Sequence, residues 1–257
     1  MAPSQTEKGM DPASADWSAL TAGDHYLIRV VRSGIGSLKI GGEFYLLRPG
    51  TAFIIRPGET KSCIWLTESA VLDFLLTAET AALMRTNAPA FLDQDVRIVP
   101  ERILERLEQL AGECQEAQKQ QRPGSQLAVL EKQLAAERLI LQEGSAPVKT
   151  AGKIAQSLIF IAENYVRDVT LRDLAGPQGM SVSYYRRLFR EQLGGSPIDC
   201  LLDYRLFQAG KRLAGSADPI AGIAAECGFN DPNYFSRLFT RRKGMTPRQW
   251  RQSFRKS

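Results

Sequence analysis

Arginine side chains recur in the last third of the chain at spacings that would place several of them on one side of a helix. The planar guanidinium of arginine can bind a phosphate group, or the edge of a guanine, through two hydrogen bonds at once. Ser, Asn and Tyr side chains at neighbouring positions add further donors and acceptors. The chemistry that these residue types predict is recognition of a nucleic acid. The candidate residues are Ser183, Arg186, Arg187, Arg190, Asn233, Tyr234, Arg237 and Arg241.

Positive charge is concentrated in the same part of the chain. Residues 153–257 hold 17 Lys and Arg against 9 Asp and Glu, a net charge of +8, and 13 of the 17 cations are Arg. Residues 1–152 hold 16 against 19, a net charge of −3. A basic C-terminal part indicates a polyanion partner. Composition alone leaves open a basic surface that only keeps the protein in solution.

The elements that must position these residues occur twice. GMSVSYYRRLF at residues 179–189 is repeated as GFNDPNYFSRLF at residues 228–239. In each copy a short helix, a glycine turn and a second helix are predicted, and Ser181 and Asp231 are good N-caps for the second helices. Pro232 suits a first helical position. Each copy therefore has the pattern of a helix-turn-helix.

The second helix of each copy is predicted to have an apolar inner side and a basic outer side. Phe189, Phe229, Phe235 and Phe239 are expected in the core. Residues 197–214 are predicted to form a connecting helix of about 27 Å, at about 1.5 Å per residue. Two such helices can enter successive major grooves, about 34 Å apart on one face of DNA. Use of the repeats for packing alone is the competing interpretation.

Residues 155–254 resemble the AraC/XylS family of bacterial transcription regulators, through both repeats and the intervening YRL segment that starts at Tyr204. The resemblance implies a DNA-binding domain over residues 153–257, and activation through contact with RNA polymerase. It also implies that the base-reading positions lie early in each second helix, at Ser183, Arg186, Arg187, Asn233, Tyr234 and Arg237. The chain departs from the family at Gly176 and Pro177, which are expected to shorten the first leading helix.

The front half has strand character between residues 25 and 66 and helical character from residue 100. Residues 32–62 resemble the cupin-type sensor domain that often precedes this DNA-binding module. The predicted fold has two domains: an N-terminal cupin-like β-barrel with helices, and a C-terminal all-α domain with two helix-turn-helix motifs joined by a long helix. The predicted boundaries are 1–20 for a mobile arm, 21–147 for the sensor and dimerisation domain, and 153–257 for the DNA-binding domain, with a linker within residues 144–152.

Two weaker sets of candidate residues lie in the front half. Arg32, Lys61 and Trp65 are the candidates for contact with a small effector, although each also fits an ordinary strand-surface or core role. A seam between two copies of the chain is predicted along the second helix, and packing of that helix on its own domain is the alternative. The seam consists of Leu127, Leu130, Leu134 and Leu141.

Residue counts argue against an enzyme. The only histidine is His25, so the several-histidine metal centre of catalytic cupins is excluded, and no metal or cofactor is expected. The four cysteines are scattered and are predicted to be reduced, as in the cytoplasm. No apolar run long enough for a membrane span is present. We therefore predict a cytoplasmic, homodimeric activator that binds double-stranded DNA and senses a small effector; control by a protein partner is the alternative.

Overall fold

The computed structural model describes residues 26–40, 42–59, 61–76, 96–119, 124–146 and 149–255. The predicted N-terminal arm and His25 lie outside these residues. Contacts divide the chain into two compact units. The N-terminal unit extends to residue 155 without residues 66–68, which group with the C-terminal unit from residue 156 onward.

The described part of the N-terminal unit contains seven strands. They are β1 (Tyr26–Ser33), β2 (Gly36–Ile40), β3 (Glu43–Leu47), β4 (Thr51–Ile55), β5 (Ser62–Trp65), β6 (Ala70–Leu76) and β7 (Val96–Ile98). One antiparallel sheet has the order β6-β1-β4-β7 and the other has the order β3-β2-β5. The strand character that was expected between residues 25 and 66 is confirmed by β1 to β5.

The predicted barrel is wrong for the described strands, because the two sheets are not closed into one. Every described strand pairs only with strands of its own sheet. The apolar faces of the sheets are buried by packing against each other, and this removes them from water without closing a ring of strands. Leu27 and Phe53 from the first sheet meet Leu38 and Trp65 from the second in this shared core.

Side-chain alternation along the strands gives the first sheet a second apolar face. In β1, Leu27 and Val31 face the second sheet, whereas Ile28 and Val30 belong to a cluster with helical residues. That cluster is completed by α1 (Glu101–Lys119) and α2 (Ser125–Glu143). Burial of each large apolar side chain is worth about 1.5–3 kcal/mol, so two clusters on one sheet stabilise the unit substantially.

The two helices differ in how well their sequence pattern predicts the buried side. In α1 the helical spacing of Leu107, Leu110 and Cys114 matches buried residues. In α2 the leucines do not mark the buried side, which consists of Gln133, Ala136, Glu137 and Ile140. Leu127 is 61% exposed, and Leu130, Leu134 and Leu141 are half-buried.

Seven more helices follow. They are α3 (Lys149–Asn164), α4 (Leu171–Ala175), α5 (Val182–Leu193), α6 (Pro197–Gly215), α7 (Ile220–Glu226), α8 (Pro232–Lys243) and α9 (Pro247–Arg255). Helix α3 begins at residue 149, inside the segment 144–152 that was expected to be a linker. No helix in the described ranges is long and apolar enough to cross a membrane.

The core of the C-terminal unit is aromatic and centred on α6. Phe229, Phe235 and Phe239 form a chain of rings with centroids 5.1 and 5.5 Å apart. Trp250 from α9 continues it, with its ring 5.7 Å from Phe239 and its Nε1–H donating to the Gly210 carbonyl of α6 at 3.0 Å. The expectation that these phenylalanines are core residues is confirmed.

Candidate nucleic-acid interface

Helices α5 and α8 have the same length and the same ends. Ser181 caps α5 by accepting the Tyr184 N–H, and Asp231 caps α8 by accepting the Asn233 N–H at 2.8 Å. Each helix has twelve residues and ends at a glycine in the left-handed conformation, Gly194 or Gly244. Both predicted N-caps are confirmed. The two helices can therefore be compared position by position from cap to cap.

The leading helices of the two pairs differ. Helix α4 has five residues, is capped reciprocally by Thr170 and Asp173, and continues into a 3₁₀ turn over Gly176–Gln178. Helix α7 has seven residues and leads into a turn at Gly228. The shortening expected from Pro177 is confirmed, since a proline cannot donate the backbone hydrogen bond that a longer α-helix needs.

The inner side of α5 is anchored in spite of its short leading helix. Tyr185, Leu188 and Phe189 are buried, and Tyr185 has no exposed surface. Burial raises the pKa of the Tyr185 phenol well above its usual value, and the nearby Ser157 of α3 opposes that shift only in part. This anchoring fixes the orientation of α5, so that its opposite side faces solvent.

The outer side of α5 is a basic groove. An open groove of about 400 Å³ is lined by Ser183, Arg186, Arg187, Arg190 and Glu191. The Arg187 guanidinium lies 5.3 Å from the centre of the Tyr184 ring, and its Nε is 3.7 Å from Glu191 Oε1. Such a surface can take a negatively charged ligand and present guanidinium groups to it.

The outer side of α8 carries fewer cations at its start. Asn233, Tyr234, Arg237 and Arg241 are all exposed. Within the described ranges, no ion pair or side-chain hydrogen bond engages Arg237 or Arg241. The structure therefore gathers the eight predicted residues on the outer sides of two helices, four on each.

Arg205 of α6 holds the turn of the second pair, and sequence inspection did not identify it. Its Nε donates to the Tyr165 carbonyl at 2.7 Å and its Nη2 to the Arg167 carbonyl at 2.6 Å, while the guanidinium lies 5.9 Å from the Phe229 ring centre. Gly228 packs beside it, where a Cβ would lie 2.9 Å from Arg205 Nε. The spacing of the YRL segment gives no signal for such long-range partners.

Arg242, near the end of α8, forms ion pairs with another helix of the same unit. Its Nη2 is 2.9 Å from Asp199 Oδ1 and its Nε is 3.5 Å from Asp203 Oδ1, both on α6. Burial raises the pKa of Asp203 from its usual range, and the positive charge of Arg242 opposes that change. A count of arginines therefore overstates the charge that α8 can offer to a ligand.

The three effector candidates of the N-terminal unit have three different surroundings. Arg32 is exposed and pairs with Glu108 of α1 at 2.7 Å. Lys61 is only 3% exposed and its Nζ lies 3.0 Å from Glu59 Oε2. Burial acts to raise the pKa of Glu59, but the hydrogen bond from the Arg56 backbone N–H and the contacts with the Lys61 and Arg56 side chains lower it below its usual value. Trp65 belongs to the core between the sheets. No group of residues able to hold a metal ion occurs in the described ranges.

Paired helices of matched length, with anchored inner sides and basic outer sides, define the C-terminal unit as a DNA-binding domain of the helix-turn-helix class. A family model described as a helix-turn-helix domain matches residues 174–253. The HTH-type transcriptional activator RhaR of Yersinia pseudotuberculosis is 51% identical over 72 residues, which is 28% of this chain and 25% of that protein. The match thus spans only about a quarter of the length of that curated relative.

Solved structures resemble a similar share of the chain. The C-terminal domain of the two-component response regulator YesN from Fusobacterium nucleatum is 30% identical, covering 37% of this chain and 94% of that domain, with a TM-score of 0.36. An AraC-type transcriptional regulator from Chromobacterium violaceum is 27% identical, covering 41% and 94%, with a TM-score of 0.40.

Residues 174–253 are thus similar to helix-turn-helix domains, and the RhaR relative is named as a transcriptional activator. These matches support the interpretation of the chain as a regulator rather than an enzyme.

Proposed function

We propose that the chain is a cytoplasmic transcription activator that binds double-stranded DNA with both helix pairs acting as helix-turn-helix motifs. The proposal rests on the likeness of α5 and α8. The two helices have the same length and the same kinds of cap at both ends, and each leaves arginines exposed on its outer side. Two such helices present guanidinium groups to a polyanion in the manner of recognition helices. The name of the RhaR relative, a transcriptional activator, supports activation as the outcome of binding.

The roles of the outer residues follow from their positions along each helix. The first turns of a recognition helix reach the base edges, so Ser183, Arg186 and Arg187 read bases from α5. Asn233, Tyr234 and Arg237 read bases from α8. Arg190 and Arg241 lie about one turn further on. They contact either the last base of the half-site or the flanking phosphates.

Binding of the full chain to DNA from around its own gene tests the proposal. Specific binding should resist random competitor DNA, and the logarithm of affinity should fall with the logarithm of salt concentration by about 0.9 for each phosphate contact. Arg237→Ala should weaken binding to the specific site by about 1–3 kcal/mol with little effect on random DNA. Arg102→Ala, at an exposed position of α1, is the control. Binding without any sequence preference would contradict the proposal.

We further propose that the N-terminal unit forms the homodimer through α2. Leu127 is exposed enough to meet a second copy, whereas Leu130, Leu134 and Leu141 are half-buried, and Leu141 also packs against the core of its own unit. An exposed leucine followed by half-buried leucines at helical spacing can contribute to a helical seam. Sedimentation of the full chain over a range of concentrations tests this step.

Control by a protein partner, with RNA polymerase as the final contact, is the mode of regulation that we favour over a small effector. The space between the two sheets is filled by side chains of the described strands, among them Phe53, Leu38 and Trp65. A small-molecule site needs a concave pocket with convergent polar groups. The different surroundings of Arg32 and Lys61 do not form one. Isothermal titration with sugars and related metabolites should therefore give no heat of binding; saturable binding would restore the effector hypothesis.

A further inference from the structure

We propose that the two recognition helices read different chemistry, so that the DNA site consists of one guanine-rich half and one half rich in A·T pairs. Helix α5 would read the guanine-rich half and α8 the A·T-rich half. This inference rests on the proposed function, because it specifies the ligand of the same two surfaces. It follows from the four positions at which the outer sides of the helices differ.

The comparison is possible because the helices share both ends. Each helix has its cap one residue before its first residue and a left-handed glycine after its twelfth. Position two is therefore Ser183 in α5 and Asn233 in α8, and position five is Arg186 in one and Ser236 in the other. Positions at the same distance from the cap lie at the same angle around the helix axis.

Two arginines of α5 are replaced by hydroxyl residues in α8. Arg186 corresponds to Ser236, and Arg190 corresponds to Thr240. Both hydroxyls are already used inside the helix: Ser236 Oγ donates to the Pro232 carbonyl at 2.9 Å, and Thr240 Oγ1 donates to the Ser236 carbonyl at 2.8 Å. At these two positions, α8 consequently presents small groups where α5 presents guanidinium groups.

The differences at the other two positions also favour A·T pairs over guanine as the bases that α8 reads. Ser183 corresponds to Asn233, whose amide can pair with adenine N6 and N7 at once. Glu191 corresponds to Arg241, so the acidic end of the α5 groove becomes basic in α8. Arg241 lies in the last turn of α8, where it can reach the DNA backbone more readily than the bases.

The residues common to both helices are also held differently. Arg187 lies over the Tyr184 ring and near Glu191, and both contacts restrict its guanidinium. In α8 the equivalent Tyr234 instead lies beside Phe229, with ring centroids 6.4 Å apart. Arg237 therefore lacks both of these restraints and can bind either a guanine or a phosphate. The α8 half-site accordingly contains at most one guanine that α8 reads directly.

The hydrogen-bonding groups of the bases allow a DNA sequence preference to be derived from these side-chain differences. Arginine pairs in bidentate fashion with guanine O6 and N7, asparagine pairs with adenine, and small side chains with methyl groups contact the thymine methyl. Helix α5 offers three arginines and prefers two or more guanines in its half-site. Helix α8 offers Asn233, Tyr234 and the Thr240 methyl group, which suit A·T pairs.

Selection from a randomised duplex pool tests the inference with the full chain. The pool carries two randomised windows of about six base pairs whose centres lie about ten to eleven base pairs apart, the spacing of successive major grooves. The natural chain should enrich guanine in one window and A·T pairs in the other. The double variant Arg186→Ser with Arg190→Thr gives α5 the residues of α8 and should remove guanine from the first window only. Each lost guanine contact should relax the preference about 5- to 150-fold.

The reciprocal double variant, Ser236→Arg with Thr240→Arg, should introduce guanine into the second window and leave the first unchanged. Arg102→Ala, at an exposed position of α1 in the N-terminal unit, is the control and should reproduce the natural selection in both windows. Equal guanine content in the two windows, or a change in both windows from the α5 variant, would overturn this inference and leave the DNA-binding proposal standing. Failure of the natural chain to enrich any sequence would overturn both.

Discussion

Replacement of Glu137 by glutamine is expected to stabilise the N-terminal unit at neutral and basic pH, and to have no such effect at acidic pH. Glu137 lies on the buried side of α2 and is 2% exposed, and neither carboxylate oxygen has a hydrogen-bond partner in the described part of the chain. Burial raises the pKa of its carboxyl group from 4.5 to about 8. An ionised carboxylate in such a place is costly, so the folded unit keeps the proton.

The magnitude follows from linkage between protonation and folding. Below about pH 4.5 both the folded and the unfolded states hold the proton, and Glu137 has no ionisation cost. As the pH rises, the unfolded state releases its proton first, so stability falls until the pH passes about 8. At about 1.4 kcal/mol per pKa unit, the cost is about 3 kcal/mol at pH 7 and approaches about 5 kcal/mol above pH 8.

Urea unfolding of the natural chain and of Glu137→Gln, at four pH values from 4.5 to 8, measures this cost. Glutamine has a similar shape and no charge, so the two proteins should have equal stability near pH 4.5 and diverge as the pH rises. Glu131→Gln, at an exposed position of the same helix, should change stability by less than about 0.5 kcal/mol. A difference that stays constant with pH, or a variant that is less stable at pH 8, would refute the reasoning.

Three further predictions concern packing and assembly. Gly228→Ala should destabilise the C-terminal unit by about 3 kcal/mol or more in thermal unfolding, because its φ is +82° and two backbone carbonyls lie within 3 Å of the added Cβ. Gly179→Ala should cost only about 1–2 kcal/mol, since its φ is +65° but its Cβ would meet nothing; equal costs would contradict the close approach. Arg205→Lys should cost about 1–2 kcal/mol in urea unfolding, because an ammonium cannot satisfy both carbonyls in the same geometry, and an unchanged midpoint would argue against the role of this residue. Leu127→Glu should weaken the proposed dimer at least tenfold in sedimentation equilibrium without unfolding the monomer, whereas an unchanged dimer would place the seam elsewhere.

Local signals in the sequence predicted the C-terminal unit well, for a physical reason. Ser181 and Asp231 cap their helices through contacts two or three residues away, and such contacts depend only on neighbouring residue types. The inner sides of α5 and α8 follow the helical period because one side of each helix is buried. The anchoring by Arg205 could not be predicted, because its partners lie about 40 residues away in the sequence.

The N-terminal unit was predicted less completely. The stretch with predicted strand character ended at residue 66, before β6 and β7. In α2, leucines favoured one face, but the sheet and α1 cover the face that contains Gln133 and Glu137. Which side of a helix is buried depends on the element packed against it, and a polar residue at a buried position conceals that side from a periodicity argument.

The short-range capping of α5 and α8 also has a consequence for the order in which the chain acquires structure. Ser181, Gly194, Asp231 and Gly244 complete their helices through neighbours in sequence. In the N-terminal unit, by contrast, β1 pairs with β6, so that Tyr26 must find Leu76, which is far away in the sequence. Chains dominated by local contacts fold in microseconds to milliseconds, and distant strand pairing is slower. The part of the protein that is synthesised last is thus expected to reach its native form at a higher rate than the part that leaves the ribosome first.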